Sequence, residues 1–113
     1  MKHEESKIQE AVVTYLRCQY PHALHCASAG GVRTSMKQAI MMKRTGYVRG
    51  FPDLMILEPS KEFKGLFIEM KTDKGVVSKE QKWWMEQLNQ RGYKSEICKG
   101  FDQAKQVIDE YLQ

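Results

Sequence analysis

The chain has 113 residues, of which 42% are apolar, 10% aromatic and 28% charged, a composition that suits one folded domain and excludes a disordered segment. No apolar run approaches the roughly 20 residues of a membrane span, and the charged stretch from Met1 to Ile8 is expected not to serve as a secretory signal, which needs an apolar core. Eighteen Lys and Arg against fourteen Asp and Glu give a formal charge of +4, a sign that favours a polyanionic partner.

Ile8, Ala11, Val12, Tyr15 and Leu16 recur at helical spacing, so a first helix is expected over Glu4 to Gln19, stopped by Pro21. A short strand over Ala23 to Ala27 leads into a Ser28-Ala29-Gly30-Gly31 turn. Thr34 or Ser35 caps a second helix through Arg44, which Gly46 ends. Gly50-Phe51-Pro52-Asp53 opens a strand over Leu54 to Leu57. A polar loop returns to a second strand from Gly65 to Lys71, which makes an antiparallel hairpin with a long connection. After the Asp73-Lys74-Gly75 turn, a helix runs from Ser78 to Arg91. A strand over Tyr93 to Cys98 and a helix over Phe101 to Leu112 complete the chain. This order predicts an α/β fold, a small mixed sheet with helices on its faces.

The chemistry is concentrated in Pro52-Asp53 and Glu69-Met70-Lys71. Strand side chains alternate faces, so Glu69 and Lys71 share one side while Leu66, Ile68 and Met70 take the other. Hairpin pairing brings Asp53 beside Glu69. Two carboxylates at one strand edge repel unless positive charge lies between them, and Mg²⁺ or Mn²⁺, which prefer oxygen ligands, would supply it. Lys71 is too cationic to be a ligand; it suits orienting an attacking water or neutralising charge on a phosphate. The set fits phosphodiester hydrolysis. The plainer alternative is a surface cross-strand charge pattern, and the Pro-Asp at the start of the neighbouring strand argues against it.

On the first helix, Ile8, Val12 and Leu16 form a buried stripe that includes Glu5; Glu4 lies near its other margin, so either acid could reach the sheet, while Glu10 faces water. Glu5 alternatively serves only the helix dipole. Ser78 and Gln81 match a capping box, and Gln81, opening the helix after the Glu69-Lys71 strand, is also placed to touch a phosphate or water. Trp83 and Trp84 cannot share a helix face: one packs on the sheet with Leu88, the other is half exposed at a subunit contact or, less simply, a base-stacking platform. Arg33, Lys37, Lys43, Arg44 and Arg49 lie between Gly30 and Gly50 with no acidic residue among them. A run of this kind is commonly a solvated face; leading into Pro52-Asp53, it reads better as a nucleic-acid track. No base-reading signature accompanies it. Cys18, Cys26 and Cys98 form no CxxC pair and read as reduced thiols of a cytoplasmic protein; His3, His22 and His25 make no zinc motif.

These motifs resemble the VRR-NUC family of the PD-(D/E)XK nuclease superfamily: Gly50-Phe51-Pro52-Asp53, Glu69-Met70-Lys71, Ser78-x-x-Gln81 with Trp84, and Glu5 with Gln9. The resemblance extends over nearly the whole chain, residues 1–113 as one nuclease domain, and is similar to the stand-alone phage or bacterial type. It implies a restriction-endonuclease-like αβββαβ core and Mg²⁺- or Mn²⁺-dependent DNA cleavage. By the same resemblance Asp53, Glu69 and the Met70 carbonyl bind metal, and Lys71 serves the attacking water. Glu5 is the helical acid and Gln81 an auxiliary active-site residue. Homodimeric cleavage of four-way (Holliday) junctions or related branched DNA follows as an expectation; flap- or nick-directed cleavage, a non-catalytic DNA-binding module of the same fold and a protein–protein adaptor are the alternatives.

Overall fold

A computed structural model of the chain describes residues 3–28 and 35–113. Its elements are α1 (His3–Gln19), β1 (His25–Ala27), α2 (Met36–Arg44), β2 (Leu54–Ile56), β3 (Leu66–Lys71), α3 (Lys79–Gln90), β4 (Lys94–Lys99) and α4 (Phe101–Leu112), in the order the sequence predicts. The expected Gly30–Gly31 turn and Thr34 lie outside the described residues; Ser35 closes a capping box on α2 with Gln38.

The four strands form one sheet in the order β1-β2-β3-β4. β2 pairs antiparallel with β1 and with β3, while β4 runs parallel to β3, α3 making the crossover. The two outer segments are displaced from their predicted bounds. β1 starts at His25 rather than Ala23 because the Leu24 N–H is taken by the Glu58 carboxylate at 2.8 Å instead of by a strand neighbour. β4 starts at Lys94, whose N–H meets the Gly65 carbonyl at 2.9 Å, and extends to Lys99.

β3 is buried along its full length, as a central strand covered on both faces should be. Leu66, Ile68 and Met70 join Leu54, Ile56 and Cys98 against Val12 and Leu16 of α1 and Ala104, Ile108 and Tyr111 of α4. Truncating one of these fully buried aliphatic residues to alanine costs about 2–5 kcal/mol. On the opposite face Phe67 meets Phe51 and Tyr93 edge-on, and Phe51 meets Trp84 of α3 at 5.0 Å. Trp84 is therefore the packed tryptophan, and Trp83 is the exposed one at 55%. α2 has no buried residue, and along it Ala39 and Met42 are half-buried.

Candidate active site

The end of β2 builds the site. The antiparallel register that sets Leu54 opposite Ile68, continued by one residue, sets Asp53 opposite Glu69, and by a second sets Pro52 opposite Met70. The Met70 N–H is taken by Asp53 Oδ2 at 2.8 Å. That bond fixes the Asp53 side chain at the start of β2 beside β3, 8% exposed.

Glu69 is 3% exposed. Burial pushes its carboxyl up to about 9, the Asp53 charge and a hydrogen bond with Asp53 push in the same direction, and Lys71 opposes them without prevailing. Lys71 Nζ stands 3.9 Å from Glu69 Oε2, and its stem lies under the Thr72–Gly75 turn, where a Cβ on Gly75 would come within 3.0 Å of Lys71 Cδ. From α3, Gln81 Nε2 donates to Glu69 Oε2 at 3.0 Å, while Gln81 Oε1 accepts the Ser78 N–H at 2.9 Å and Ser78 Oγ accepts the Gln81 N–H. The capping box expected of Ser78 and Gln81 forms, and the other end of the same amide reaches Glu69.

Asp53, Glu69, Lys71, Gln81 and Glu5 line one cleft of about 510 Å³. Glu5 also raises the Glu69 carboxyl through its charge; Glu4 is exposed and lines a different depression beside Thr72 and Asp73. A marginally larger depression of about 540 Å³ along α4 is lined by Asp102, Lys105, Asp109 and other polar surface residues. The chemistry, rather than the volume, singles out the first cleft.

Of the predicted nucleic-acid track, Lys43 and Arg49 line the cleft. Lys37 and Arg44 stand exposed on α2 outside it, and Arg33 lies outside the described residues. Tyr47 also lines the cleft and escaped the sequence reading. It sits between a helix end and the Pro-Asp motif, where no periodicity marks it; its position between two cleft cations is the one signal that points to it. Among the described residues, the buried Gln9 Oε1, Ser28 Oγ and Trp84 Nε1 have no hydrogen-bond partner.

Among the described residues, no group of three or more His, Cys, Asp or Glu side chains is gathered closely enough to hold a metal by side chains alone. Mg²⁺ does not require one, since one or two carboxylates with water and phosphate oxygens suffice. Two buried carboxylates at one strand end, the charge of one opposed by burial and by the other, fit a hard divalent cation, which would offset that charge.

Residues 1–102 match the VRR-NUC domain family. A solved structure described as a VRR-NUC domain protein is 26% identical, covering 99% of this chain and 90% of its own, with a TM-score of 0.80. A second, described as a VRR-NUC domain, is 19% identical over 97% of this chain and 99% of its own, with a TM-score of 0.63, and shows the fold alone. No curated protein matches the chain.

Proposed function

The chain belongs to the VRR-NUC domain family, a membership that carries a nuclease-type function on DNA, and from it we propose a metal-dependent endodeoxyribonuclease that cuts branched DNA, four-way junctions first among them. The observation that supports this reading is the meeting of Asp53, Glu69, Lys71 and Gln81 in one cleft that also holds Lys43 and Arg49. A module that only bound DNA would have no use for buried acids that repel phosphate.

Asp53, Glu69 and the Met70 carbonyl would hold Mg²⁺ or Mn²⁺, which when bound supplies Lewis acidity toward a phosphate oxygen and eases deprotonation of water. The chain's own residues do the remainder. Lys71, anchored beside Glu69, orients the attacking water or offsets charge growing on the phosphate. Gln81 holds Glu69 Oε2 and so fixes the orientation of that carboxyl. Glu5, entering from α1, adds a third acidic edge. Lys43 and Arg49 hold the strand being cut, and Arg33, Lys37 and Arg44 belong to the same proposed track for flanking phosphates.

A homodimer is part of the proposal, because a four-way junction presents related strands on two sides and twofold symmetry would offer one centre to each. Exposed Met36, Ile40 and Met41 on α2 and Trp83 on α3 are apolar surface that a second copy would cover. Light scattering at micromolar concentration tests it, with twice the chain mass expected and a monomer counting against it.

The test of the activity uses a labelled four-way junction, a flap and a linear duplex, each with Mg²⁺, Mn²⁺ or EDTA. Nicks that need the cation, favour the junction and vanish in Asp53→Ala and Lys71→Ala, with junction binding retained, are expected. Cleavage that survives both substitutions would overturn the assigned centre. No cleavage by the wild-type protein would favour the DNA-binding module.

A further inference from the structure

Gly50 approaches α3 more closely than any side chain would allow. A Cβ built on it would lie 2.7 Å from the Glu80 carbonyl carbon and Cβ and 2.9 Å from the Glu80 oxygen. Glu80 immediately precedes Gln81, the residue that holds Glu69, and Gly50 stands three positions before Asp53. One residue on, Phe51 packs edge-on between Trp84 of α3 and Phe67 of β3, at 5.0 and 5.8 Å. The same short segment therefore ends in Asp53, whose carboxylate holds the Met70 N–H, and begins in a backbone-on-backbone seat against the first turn of α3. Gln81 is the residue through which that turn reaches the acid of β3.

We propose that Gly50 is a positioning residue for the active site: its missing side chain lets the Gly50–Asp53 segment seat on Glu80, and this seat sets the Gln81 amide at hydrogen-bonding distance from Glu69. The inference deepens the nuclease reading and rests on it for its consequence in cleavage, but the placement of Gln81 can be read without any activity. An alanine at position 50 must part the two backbones by about 0.7 Å to reach from 2.7 Å the 3.4 Å at which ordinary contact begins. A shift of that size exceeds the tolerance of a 3.0 Å hydrogen bond.

Gly46 provides a matched control. Both glycines have positive φ, +112° at Gly46 and +97° at Gly50, so alanine is strained at either, but a Cβ at Gly46 would meet nothing within 4 Å. The experiment compares Gly50→Ala with Gly46→Ala. The first readout is the side-chain amide resonance of Gln81 in ¹⁵N-labelled, metal-free protein, assigned by its loss in Gln81→Glu; the second is junction nicking. In Gly50→Ala the Gln81 amide resonance should shift toward that of a free amide, and kcat should fall about 10- to 100-fold with KM little changed, as a displacement at the reacting atoms requires. In Gly46→Ala the resonance and the rate should stay near wild type while the unfolding midpoint drops.

Equal Gln81 resonances in the two variants would overturn the proposal, because both carry the backbone strain and only one carries the close approach. If Gly50→Ala does not fold, Phe51→Leu, which loosens the same segment from Trp84, gives the answer: a smaller shift of the Gln81 amide in the same direction is expected, and an unmoved amide overturns the seat. A wild-type protein that cleaves nothing would count against the nuclease reading, while the amide shift would still decide the seat.

Discussion

The Gln81 amide joins two structures at once: its nitrogen holds Glu69 Oε2 at 3.0 Å, and its oxygen holds the Ser78 N–H that opens α3. The helix start and the acid of the central strand are therefore one hydrogen-bonded unit, and substitutions can separate its two halves. Glu at position 81 preserves the capping box, since Glu serves at that position as Gln does. It replaces a donor to Glu69 with a further carboxylate. Gln81→Glu is expected to lower junction nicking roughly 100-fold. Ser78→Ala should act chiefly on stability, by about 1 kcal/mol. Denaturant midpoints and single-turnover nicking on the two variants check this; a Gln81→Glu enzyme that cuts like wild type would dismiss the amide from the site.

Lys71 and Glu69 make a second contrast. Their 3.9 Å separation places the ammonium group beside the carboxylate rather than in close contact with it, which leaves Nζ room for another partner. Lys71→Ala should reduce nicking by at least about 100-fold while junction affinity, measured in EDTA, changes little, because the cations proposed as the track remain in place. A rate loss that merely follows a loss of affinity would reassign Lys71 to DNA binding.

Much of this site was legible because strand geometry is rigid. A period of two puts Glu69 and Lys71 on one face whatever else the chain does, and the hairpin then fixes Asp53 beside Glu69 through the register of Leu54 with Ile68. A helix rotates each residue by about 100°, so Glu5 falls along the stripe and Glu4 near its other margin, and either could reach the sheet. Only the packing of α1 distinguishes them, with Glu5 lining the cleft. What escaped the sequence reading are approaches between residues far apart in the chain with no shared pattern: Gly50 against Glu80, and Tyr15 and Tyr20 against Asp109. Proximity of that kind is a product of the fold, and local periodicity carries no trace of it.

Glu69 makes the metal-free protein sensitive to alkali. Its folded carboxyl is raised to about 9, above the roughly 4.3 of an unfolded glutamate. Between these values the native state keeps a proton that the unfolded chain has released. This contribution is complete below the unfolded value and is lost as pH rises through the folded one, with a limiting slope of about 1.4 kcal/mol per pH unit for one proton. Urea midpoints in EDTA should therefore fall from pH 5 to pH 9. Asp53→Asn removes a charge that raises the Glu69 carboxyl, so the fall should be shallower in that variant. Parallel profiles for the two proteins would show that Asp53 does not act on Glu69 in this way.

The cations divide by place. Lys37 and Arg44 stand on the exposed side of α2, whereas Lys43 and Arg49 line the cleft. Replacing Lys37 and Arg44 by alanine should weaken junction binding and reduce the salt slope by up to about two, near 0.9 for each phosphate that is no longer neutralised, with the cutting rate of bound DNA preserved. Replacing Lys43 or Arg49 should also slow cutting at saturation, because the strand is then held less firmly over Asp53. Binding isotherms at several salt concentrations, paired with single-turnover rates, separate the two classes. An unchanged salt slope in the Lys37/Arg44 double variant would remove α2 from the track.

At the far side of the molecule, Asp109 of α4 accepts hydrogen bonds from Tyr15 and Tyr20, each at 2.6 Å, and pairs with Lys105 at 3.1 Å. Burial pushes the Asp109 carboxyl up, but the two hydroxyls and Lys105 outweigh it and hold the group below its usual range. A lowered acid contributes stability above its unfolded value, about 3.9, and loses it as pH falls through the folded value. The Asp109 effect thus belongs to the acid limb and opposes in sign that of Glu69. Asp109→Asn exchanges charge-assisted bonds for neutral ones and should cost about 1–2 kcal/mol at pH 7, with a flatter acid limb. Because this cluster ties α1 to α4, and α1 carries Glu5 into the cleft, the same variant should loosen the helical acid without touching the sheet residues. Amide exchange along α1 should quicken toward Glu5 in Asp109→Asn while that of β3 holds; uniform quickening of both would mean that the cluster stabilises the fold as a whole and does not place Glu5.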